Sequence, residues 1–382
     1  MNSRLCQELG IEFPLFAFSH CRDVIAAVSS AGGFGVLGAA GHSPATLDIE
    51  LSWLDENVNG KPYGVDLLVP TSMDSKDHAL SAHELEERIP EEHKRYIENL
   101  LAQNDIDTSD LWDAMPTEGV GDSMREVGAS KILDVAFSHP VKMVVNALGV
   151  PPSFMFDKAQ AAGVKVGALA GAREHAIKHA EAGVDVIIVA GTEAGGHCGE
   201  VSTMVLVPEV LNALEPWLGE DDGPHILAAG GIVTGRQMAA AMAMGAAGVW
   251  TGSVWLTTAE AETSPVVKDK MLAANSRQTV RSRSRTGKYT RQLKSAWTDA
   301  WTAADCPDPL AMPLQGILAG AAFRKIDKLA QSDHPGAKRL ANYYVGQGVG
   351  LMNETVSARS VVYEFMEDFA SAAERLATTV EE

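Results

Sequence analysis

The sequence is poor in the features that mark disulfide-stabilised and membrane-spanning proteins. Only four cysteines occur in 382 residues and none has CxxC spacing, so neither a disulfide framework nor a zinc site is expected. The longest weakly apolar run, Met238 to Trp250, is shorter than the ~20 residues that span a bilayer. The stretch before Pro14 carries no apolar core of a secretory signal. We therefore expect a cytoplasmic protein with no bound metal and no membrane partner.

Positive charge is also scarce. The chain has 31 Lys and Arg residues against 50 Asp and Glu residues, which gives a formal net charge of −19 at pH 7. Such a surface repels the phosphates of nucleic acids and of anionic membranes, which argues against both as partners. The apolar share of 46% and the charged share of 21% are ordinary for a globular protein. A small molecule is therefore the expected partner.

What the chain does contain is an alternation of short apolar runs with amphipathic stretches. The apolar runs that we predict as buried strands are Phe13–Phe18, Phe34–Leu37, Tyr63–Leu68, Lys142–Ala147, Val164–Leu169, Asp185–Ala190, His225–Ala229 and Gly248–Thr251. Helical patterns follow most of them, and Ser43 stands where it would cap a helix over Pro44–Asn57. Mostly apolar strands are typical of a parallel sheet covered on both faces. About eight βα units close a barrel, so the sequence predicts an α/β fold, a (β/α)₈ TIM barrel.

Two regions interrupt this alternation. Residues 70–130 form an insertion after the third strand, with helical patterns at Ala79–Arg88 and Glu91–Gln103. Barrel active sites form at the carboxyl ends of strands, so we expect a lid or a rim helix rather than an uninvolved surface segment. After Ala259 the alternation stops. We predict a barrel over residues 1–262 and a C-terminal helical subdomain over residues 263–382, whose helices could support a homodimer.

Two glycine-containing turns give the strongest chemical signal. Ala228–Ile232 is a strand end followed by the Gly230-Gly231 turn, and the strand Gly248–Thr251 ends in Gly252-Ser253. Glycine lets backbone N–H groups approach an anion closely, and the loops after strands seven and eight are the usual phosphate cradle of a barrel. Glycines that merely shape turns are the alternative. We expect Gly230, Gly231, Gly252 and Ser253 to hold a phosphate.

A third glycine-rich loop, Ala190–Gly199, carries a histidine. It directly follows a predicted strand, so it belongs to the catalytic rim. Gly195 and Gly196 let the loop pass tightly under a flat ring, and His197 can exchange a proton near neutral pH. A histidine that only caps a turn is the alternative. Cys198 has no evident activating partner and is expected to be a packed thiol.

In combination these motifs resemble the nitronate monooxygenase family, formerly called 2-nitropropane dioxygenases. The resemblance extends from Gly10–Pro14 through Ala31–Gly35 and the motifs above to Thr286–Arg291. It implies an FMN-binding barrel in which His197 is the base towards a nitroalkane, or lies against an anionic nitronate, and in which O₂ reoxidises the flavin. The residues predicted to bind the cofactor are Ala17, Phe18, Asp66, Lys165, Gly191, Gly195, Gly196, Gly230, Gly231, Gly252 and Ser253.

The sequence departs from the family pattern around the flavin ring. Ala17-Phe18-Ser19, followed by His20, replaces the usual Ala-Pro-Met, and Asp66 replaces an Asn. An ionised Asp cannot donate a hydrogen bond to a flavin carbonyl. We expect His20 and Asp66 to contact the substrate or the flavin edge, with a structural polar pair as the alternative. Asn146, in place of the second residue of a Ser-Phe pair, is a further candidate substrate contact.

A basic stretch from Arg277 to Lys294 stands out in this acidic chain. Its cations could bind a phosphorylated ligand such as the tail of CoA or NADPH, with Arg285 and Lys288 as candidate contacts, or could pair with acidic groups of the same or a neighbouring subunit. The leading interpretation is an FMN-dependent oxidoreductase of an activated carbon acid. The alternative is an NAD(P)H-dependent FMN reductase of a quinone or of an enoyl or CoA thioester. The third interpretation is a flavin-binding protein that catalyses no reaction.

Overall fold

Eight parallel strands close into a barrel in the computed structural model, which describes residues 1, 3–69, 82–113, 126–219 and 223–381. The strands are β1 (Leu15–Ser19), β2 (Phe34–Gly38), β3 (Tyr63–Leu67), β4 (Met143–Asn146), β5 (Lys165–Ala170), β6 (Val186–Ala190), β8 (His225–Ala229) and β9 (Gly248–Thr251), while β7 (Gly196–His197) lies outside the barrel. Neighbours pair in chain order, and β9 pairs with β1 to complete the ring. The predicted barrel and all eight of its strands are confirmed.

Alternate residues of these strands face the barrel interior and the helices outside. Phe16, Phe34, Met143 and Trp250 belong to one buried cluster that fills the interior. Their neighbours, such as Leu15, pack with the surrounding helices in another cluster. Fully burying one such side chain contributes about 1.5–3 kcal/mol, so both faces of each strand stabilise the barrel.

Helices cover the outside of the barrel. They are α2 (Arg22–Ser30), α3 (Pro44–Asn57), α6 (Glu126–Ser138), α7 (Ser153–Ala162), α8 (Arg173–Glu181), α9 (Thr203–Ala213), α10 (Glu215–Leu218) and α11 (Gly235–Ala243). Helix α1 (Arg4–Leu9) lies at the amino end of the barrel instead, where Leu5 and Leu9 join the interior cluster. Ser43 caps α3 as predicted, because its side chain accepts a hydrogen bond from the Thr46 N–H at 3.2 Å. Helix α1 was not predicted; its Glu8 carboxylate pairs with Lys165 and His225 at the amino ends of β5 and β8.

The described part of the predicted insertion packs beside the barrel. Helices α4 (Ala82–Glu87) and α5 (Glu91–Ala102) lie against α14 (Leu314–Gln331), and Ile97 and Leu101 share a buried cluster with Leu318 and Ile326. Residues 70–81 and 114–125 of the insertion lie outside the described residues. None of residues 82–113 lines the cleft described below, so this part forms a helical layer beside the rim and not a lid over it.

The region after β9 contains more than helices. It includes α12 (Pro265–Leu272), β10 (Thr279–Ser282), β11 (Thr290–Leu293), α13 (Ala296–Ala300), α14 and α15 (Pro335–Leu340). Strands β10 and β11 form an antiparallel hairpin, and β11 also pairs with β7. This C-terminal region is therefore mostly helical, as predicted, and also contains a hairpin, which is stabilised by a partner strand about ninety residues earlier in the chain.

The last helix, α16 (Ala358–Glu381), returns to the barrel. It packs against α11 and α2, and its Val362 and Phe365 share a buried cluster with Val24 and Met238. Helix α16 therefore takes the place of the eighth barrel helix, and residues 258–357 are an insertion between β9 and that helix. The predicted division of the chain at residues 262 and 263 stays a prediction. No helix among the described residues is long and apolar enough to cross a membrane.

We predict that Gly235→Ala destabilises the protein through this contact. A Cβ atom on Gly235 would lie 1.8 Å from the Phe365 carbonyl oxygen, so α16 would have to shift. Overpacking of this kind costs about 1–3 kcal/mol or more in the free energy of unfolding, measurable by urea denaturation. The matched control is Gly316→Ala in α14, where a Cβ atom meets nothing within 4 Å and a helical alanine should stabilise by up to about 1 kcal/mol. Equal stability of both variants would contradict the assigned packing.

Candidate active site

A cleft of about 700 Å³ opens at the carboxyl ends of the barrel strands. Phe18 of β1 and Trp250 of β9 line it, with ring centroids 6.0 Å apart. Residues 258–357, which are inserted between β9 and α16, supply another wall through Asp327 of α14 and the neighbouring Tyr343 and Tyr344. This is the end of the barrel where TIM-barrel proteins place their active sites.

The two glycine turns form a cradle on one side of the cleft. Gly230 and Gly231 have φ angles of +105° and +73°, a region that favours glycine. A Cβ atom on Gly231 would also lie 2.9 Å from the Cβ of Glu193. Within the described residues, the backbone N–H groups of Gly231, Gly252 and Ser253 have no hydrogen-bond acceptor. Free N–H groups on two adjacent turns are what a bound phosphate requires.

The Ser253 hydroxyl is oriented by the region inserted between β9 and α16. Its oxygen accepts a hydrogen bond from the Gly346 N–H at 2.8 Å, which leaves the hydroxyl hydrogen free for a ligand. Ser253 is also the first residue of a 3₁₀ helix that ends at Thr257, so its N–H points away from the helix. The cradle therefore offers a side-chain donor besides its backbone donors.

The histidine loop is held in place from three sides. The Arg291 Nε donates to the Thr192 carbonyl at 2.7 Å, next to the pairing of β7 with β11. The Glu193 carboxylate accepts hydrogen bonds from the N–H and hydroxyl of Thr203, at the start of α9, both at 2.9 Å. The Glu193 carbonyl accepts from the Gln347 N–H at 2.9 Å. The acidic residue of this motif is thus an anchor of the loop.

His197 lines the cleft and presents its ring to it. Its Nε2 lies 2.9 Å from the Thr286 Oγ1. Partial burial, together with the nearby charge of Lys288, lowers the pKa of His197 below its usual value. The imidazole is therefore neutral at neutral pH and able to accept a proton.

Asp66 is buried in the wall of the cleft, with 6% of its surface exposed. Its Oδ1 is buried and has no hydrogen-bond partner among the described residues. Burial raises the pKa of Asp66 well above its usual value. Burial therefore favours the neutral carboxylic acid, which can donate a hydrogen bond as an Asn would. The expectation that an Asp here cannot donate applies only to the ionised form.

The FMN implied by the sequence resemblance fits these residues on two observations. The first is the cradle of free N–H groups at Gly231, Gly252 and Ser253, where a side chain on Gly231 would not fit. The second is the orphaned Oδ1 of Asp66, because buried polar atoms in folded proteins nearly always have a partner. Both lie in the wall of one cleft.

The cleft brings together most of the predicted site residues. Those that line it are Phe18, His20, Asp66, Gly195, Gly196, His197, Gly230, Gly231, Gly252 and Ser253. The Nδ1 of His20 lies 2.8 Å from the Gly38 carbonyl oxygen and donates a hydrogen bond to it. The position of His20 agrees with a substrate contact, and no direct hydrogen bond pairs it with Asp66 in the described part of the chain.

Four of the remaining predicted residues do not line the cleft. Ala17 is buried among the outer helices, since its side chain alternates with those of Phe16 and Phe18. Gly191 does not line the cleft; a Cβ atom there would lie 2.3 Å from the Thr203 nitrogen, so this glycine serves close packing. Lys165 is the first residue of β5 and pairs with Glu8 and Asp185 at the amino end of the barrel.

Asn146 is the fourth of these residues. It is fully buried, and its Oδ1 accepts a hydrogen bond from the Val69 N–H at 2.9 Å. Its Nδ2 donates to the Val69 carbonyl at 3.0 Å. Asn146 is not among the residues that line the cleft. Its amide fixes the loop after β3 and has no capacity to spare for a substrate.

Most of the basic stretch is engaged within the chain. Arg281 pairs with Glu200 at 3.6 Å, and Arg283 donates to the Gly287 and Pro309 carbonyls. Arg285 stacks over Phe323 with 3.5 Å between its guanidinium carbon and the ring centroid, and does not line the cleft. Lys288 does not line the cleft either, but its exposed ammonium has no acidic partner in the part of the chain that the structure describes.

Sequence reasoning missed several residues that line the cleft or contact His197. Thr286 lies in a stretch that carries the family resemblance, but the sequence gives no sign that it contacts His197. Asp327, Tyr343 and Tyr344 lie more than a hundred residues after the histidine loop, with no motif around them. Ser264 adds a buried hydroxyl oxygen without a partner among the described residues.

Comparison with known proteins gives a consistent result along the whole chain. The family model for nitronate monooxygenase matches residues 2–368. The protein Rv1533 of Mycobacterium tuberculosis, named as a monooxygenase, is 50% identical over 378 residues, which cover 98% of each chain. A Staphylococcus saprophyticus protein named as a nitronate monooxygenase is 27% identical over 337 residues, which cover 84% of this chain and 86% of the relative.

Solved structures that share this fold also cover almost the whole chain. Nitroalkane oxidase from Streptomyces ansochromogenes has a TM-score of 0.76 and 23% identity, covering 98% of this chain and 100% of its own. FabK from Thermotoga maritima has a TM-score of 0.72 and 24% identity, covering 99% of each chain. At these identities the likeness bears on the fold alone.

We predict that Asp66→Asn stabilises the protein, and increasingly so as the pH rises. Folding raises the pKa of Asp66, so its contribution to stability is complete below the unfolded pKa of about 3.9 and is lost as the pH rises towards the folded pKa. Asn has the same shape and does not ionise. The difference in the free energy of unfolding should therefore grow as the pH rises above about 4, by up to about 1.4 kcal/mol per pH unit, and level off above the folded pKa.

Urea denaturation at several pH values measures this difference. The control is Asp157→Asn, which removes an exposed carboxylate on α7 and should give a small, nearly pH-independent change. An Asp66→Asn variant whose relative stability stays flat or falls with pH would mean that Asp66 is ionised in the folded protein.

Proposed function

Since this chain belongs to the nitronate monooxygenase family, we propose that it is an FMN-dependent oxidoreductase that oxidises a nitronate or a similar activated carbon acid with O₂. The observation that carries this proposal is that His197 and the cradle of free N–H groups line the same cleft. A phosphate held at the cradle would keep an attached aromatic ring within that cleft, whose lining includes His197 as a candidate base.

Three groups of the chain would hold the cofactor. The N–H groups of Gly231, Gly252 and Ser253 would bind the phosphate, assisted by the Ser253 hydroxyl. The neutral carboxylic acid of Asp66 would donate a hydrogen bond to a polar atom of the ring. When bound, FMN supplies the redox chemistry, taking two electrons from the substrate and passing them to O₂.

His197 would act as a general base towards a neutral nitroalkane. Its lowered pKa keeps the imidazole neutral, so a ring nitrogen can accept the proton from the carbon beside the nitro group. The electron pair of the broken C–H bond moves into the nitro group, and the product of this step is the nitronate anion. A nitronate supplied ready-made needs no such step.

Lys288 would favour an anion in this cleft. Its exposed ammonium is close enough to lower the pKa of His197, and no acidic group among the described residues neutralises it. This ammonium, which adds to burial in lowering the pKa of His197, would therefore stabilise a negative charge that develops on the nitro oxygens.

The experiment that tests the proposed function is anaerobic stopped-flow spectroscopy of the purified protein. Propionate 3-nitronate should bleach the visible flavin absorbance, whereas NADH and NADPH should not. Bleaching by NADH or NADPH alone would replace the proposal with a reductase of a quinone or an enoyl thioester. A flavin that neither compound reduces would indicate a binding protein without turnover, and a protein that does not take up FMN would overturn the proposal altogether.

We predict that His197→Gln separates neutral from anionic substrates. With a neutral nitroalkane, kcat/KM should fall by about 10²–10⁴-fold, which is the usual contribution of a general base. With a preformed nitronate the loss should be much smaller, because no proton is removed. The control is His175→Gln, an exposed histidine on α8. Equal losses with both substrates would show that His197 does not act as the base.

We predict that Lys288→Gln weakens binding of anionic substrates and raises the pKa of His197. Removing a nearby positive charge stabilises the imidazolium, so the acid limb of the pH profile of kcat/KM should move to higher pH. The KM for a nitronate should rise about two- to fivefold, as expected for a solvent-screened charge. Lys294→Gln, in the same basic stretch but paired with Asp299, is the control. Unchanged pH profiles would exclude this role of Lys288.

A further inference from the structure

We propose that Thr286 positions His197 by fixing its neutral tautomer, with the hydrogen on Nε2 and the lone pair for proton abstraction on Nδ1. The proposal deepens the proposed function, on which the catalytic part of its test rests. Thr286 is not among the residues that line the cleft, and it acts through His197.

The hydrogen bonds around Thr286 favour one tautomer. Its Oγ1 lies 2.9 Å from the His197 Nε2, 3.2 Å from the Lys288 carbonyl oxygen and 3.3 Å from the Lys288 nitrogen. The Lys288 N–H can only donate, and the Lys288 carbonyl can only accept. If the hydroxyl donates to that carbonyl, its oxygen accepts from both Lys288 N–H and His197 Nε2–H, and every group has a partner.

The opposite tautomer satisfies fewer groups. If Nε2 carried the lone pair, the single hydroxyl hydrogen of Thr286 would have to turn to it, and the Lys288 carbonyl would lose this donor. The Nδ1 of His197 has no partner among the described residues. Since His197 lines the cleft and its Nε2 is occupied, Nδ1 is the nitrogen left to meet a ligand there.

The turn that carries Thr286 is itself held firmly. Gly287 has a φ angle of +86°, and a Cβ atom on it would lie 2.2 Å from the Leu310 carbonyl oxygen. Arg283 donates to the Gly287 carbonyl at 3.0 Å and to the Pro309 carbonyl at 2.9 Å. The pairing of Thr290 with His197 in β11 and β7 connects this turn to the histidine loop. Such anchoring is what a group that orients a base requires.

The imidazolium formed after proton transfer uses the same contact. Both ring nitrogens then carry hydrogen, and the Nε2–H still donates to the Thr286 oxygen. A hydrogen bond from a charged donor is stronger than one from a neutral donor, so Thr286 stabilises the protonated base relative to the neutral one. Loss of the hydroxyl should therefore weaken the base as well as mix its tautomers.

Histidine-selective ¹⁵N NMR of the flavin-loaded protein tests the tautomer without reference to turnover. The His197 signals are identified by their absence in His197→Gln. Neutral His197 should give the nitrogen shifts of an Nε2–H tautomer in the wild type and in Thr286→Ser, and shifts of a tautomer mixture in Thr286→Val. An Nδ1–H tautomer in the wild type, or identical spectra for all three proteins, would overturn the proposal.

Turnover of a neutral nitroalkane, compared with turnover of a preformed nitronate, gives the second readout. In Thr286→Val, kcat/KM for a neutral nitroalkane should fall about tenfold, the equivalent of one hydrogen bond, and Thr286→Ser should restore it. Turnover of preformed nitronate should stay within about twofold, and Thr302→Val, which removes an exposed hydroxyl after α13, should change neither. If His197→Gln has no selective effect on nitroalkane, the proposed base fails, whereas the NMR result still decides the tautomer.

Discussion

The antiparallel pairing of β7 with β11 is the contact on which the rest of the cleft depends. Strand β7 has only two residues, Gly196 and His197, and by itself would be a flexible turn in a glycine-rich loop. Its partner strand belongs to the region inserted after β9, and Arg291 of that strand also holds the Thr192 carbonyl. The loop after barrel strand β6 thus supplies the base, His197, and the region inserted after β9 fixes the position of that base. Neither part forms the site alone.

The way the insertion is attached explains how it can provide that rigidity. It leaves the barrel after β9 and comes back as α16, which packs between α11 and α2. Both of its ends are therefore fixed to the barrel wall, and the close approach at Gly235 leaves α16 little room to move. Between these ends, Gly346 reaches the Ser253 hydroxyl and Gln347 reaches the histidine loop. One inserted region therefore connects the phosphate cradle with the base.

Features with a local cause could be predicted from the sequence. Each barrel strand is an apolar run covered on both faces, Ser43 is a cap of its own helix, and Gly230 and Gly231 are required by their own backbone angles. The sequence predictions differ from the structure where a contact joins segments that are distant in the chain. They also differ where a shift of one residue moves a side chain to the other face of a strand. Lys165 and Ala17 stand on the expected strands, but at the wrong end and on the wrong face. The hairpin β10–β11 and the return of α16 have partners elsewhere in the chain, which no local pattern shows.

The charge state of the cleft follows from burial more than from residue type. Asp66 occupies a position where the family pattern has an Asn, and an ionised carboxylate there would oppose any anion bound nearby. Burial without a cationic partner makes the ionised form the costly one, so the substitution keeps a donor and adds no negative charge. Burial and Lys288 act on His197 in the same direction, towards neutrality. Lys288 is then the unbalanced charge close to the base, and its sign suits an anion. Burial thus favours the neutral forms of Asp66 and His197, and the ammonium of Lys288 close to His197 favours a negative charge there, although the protein as a whole carries a strong negative charge.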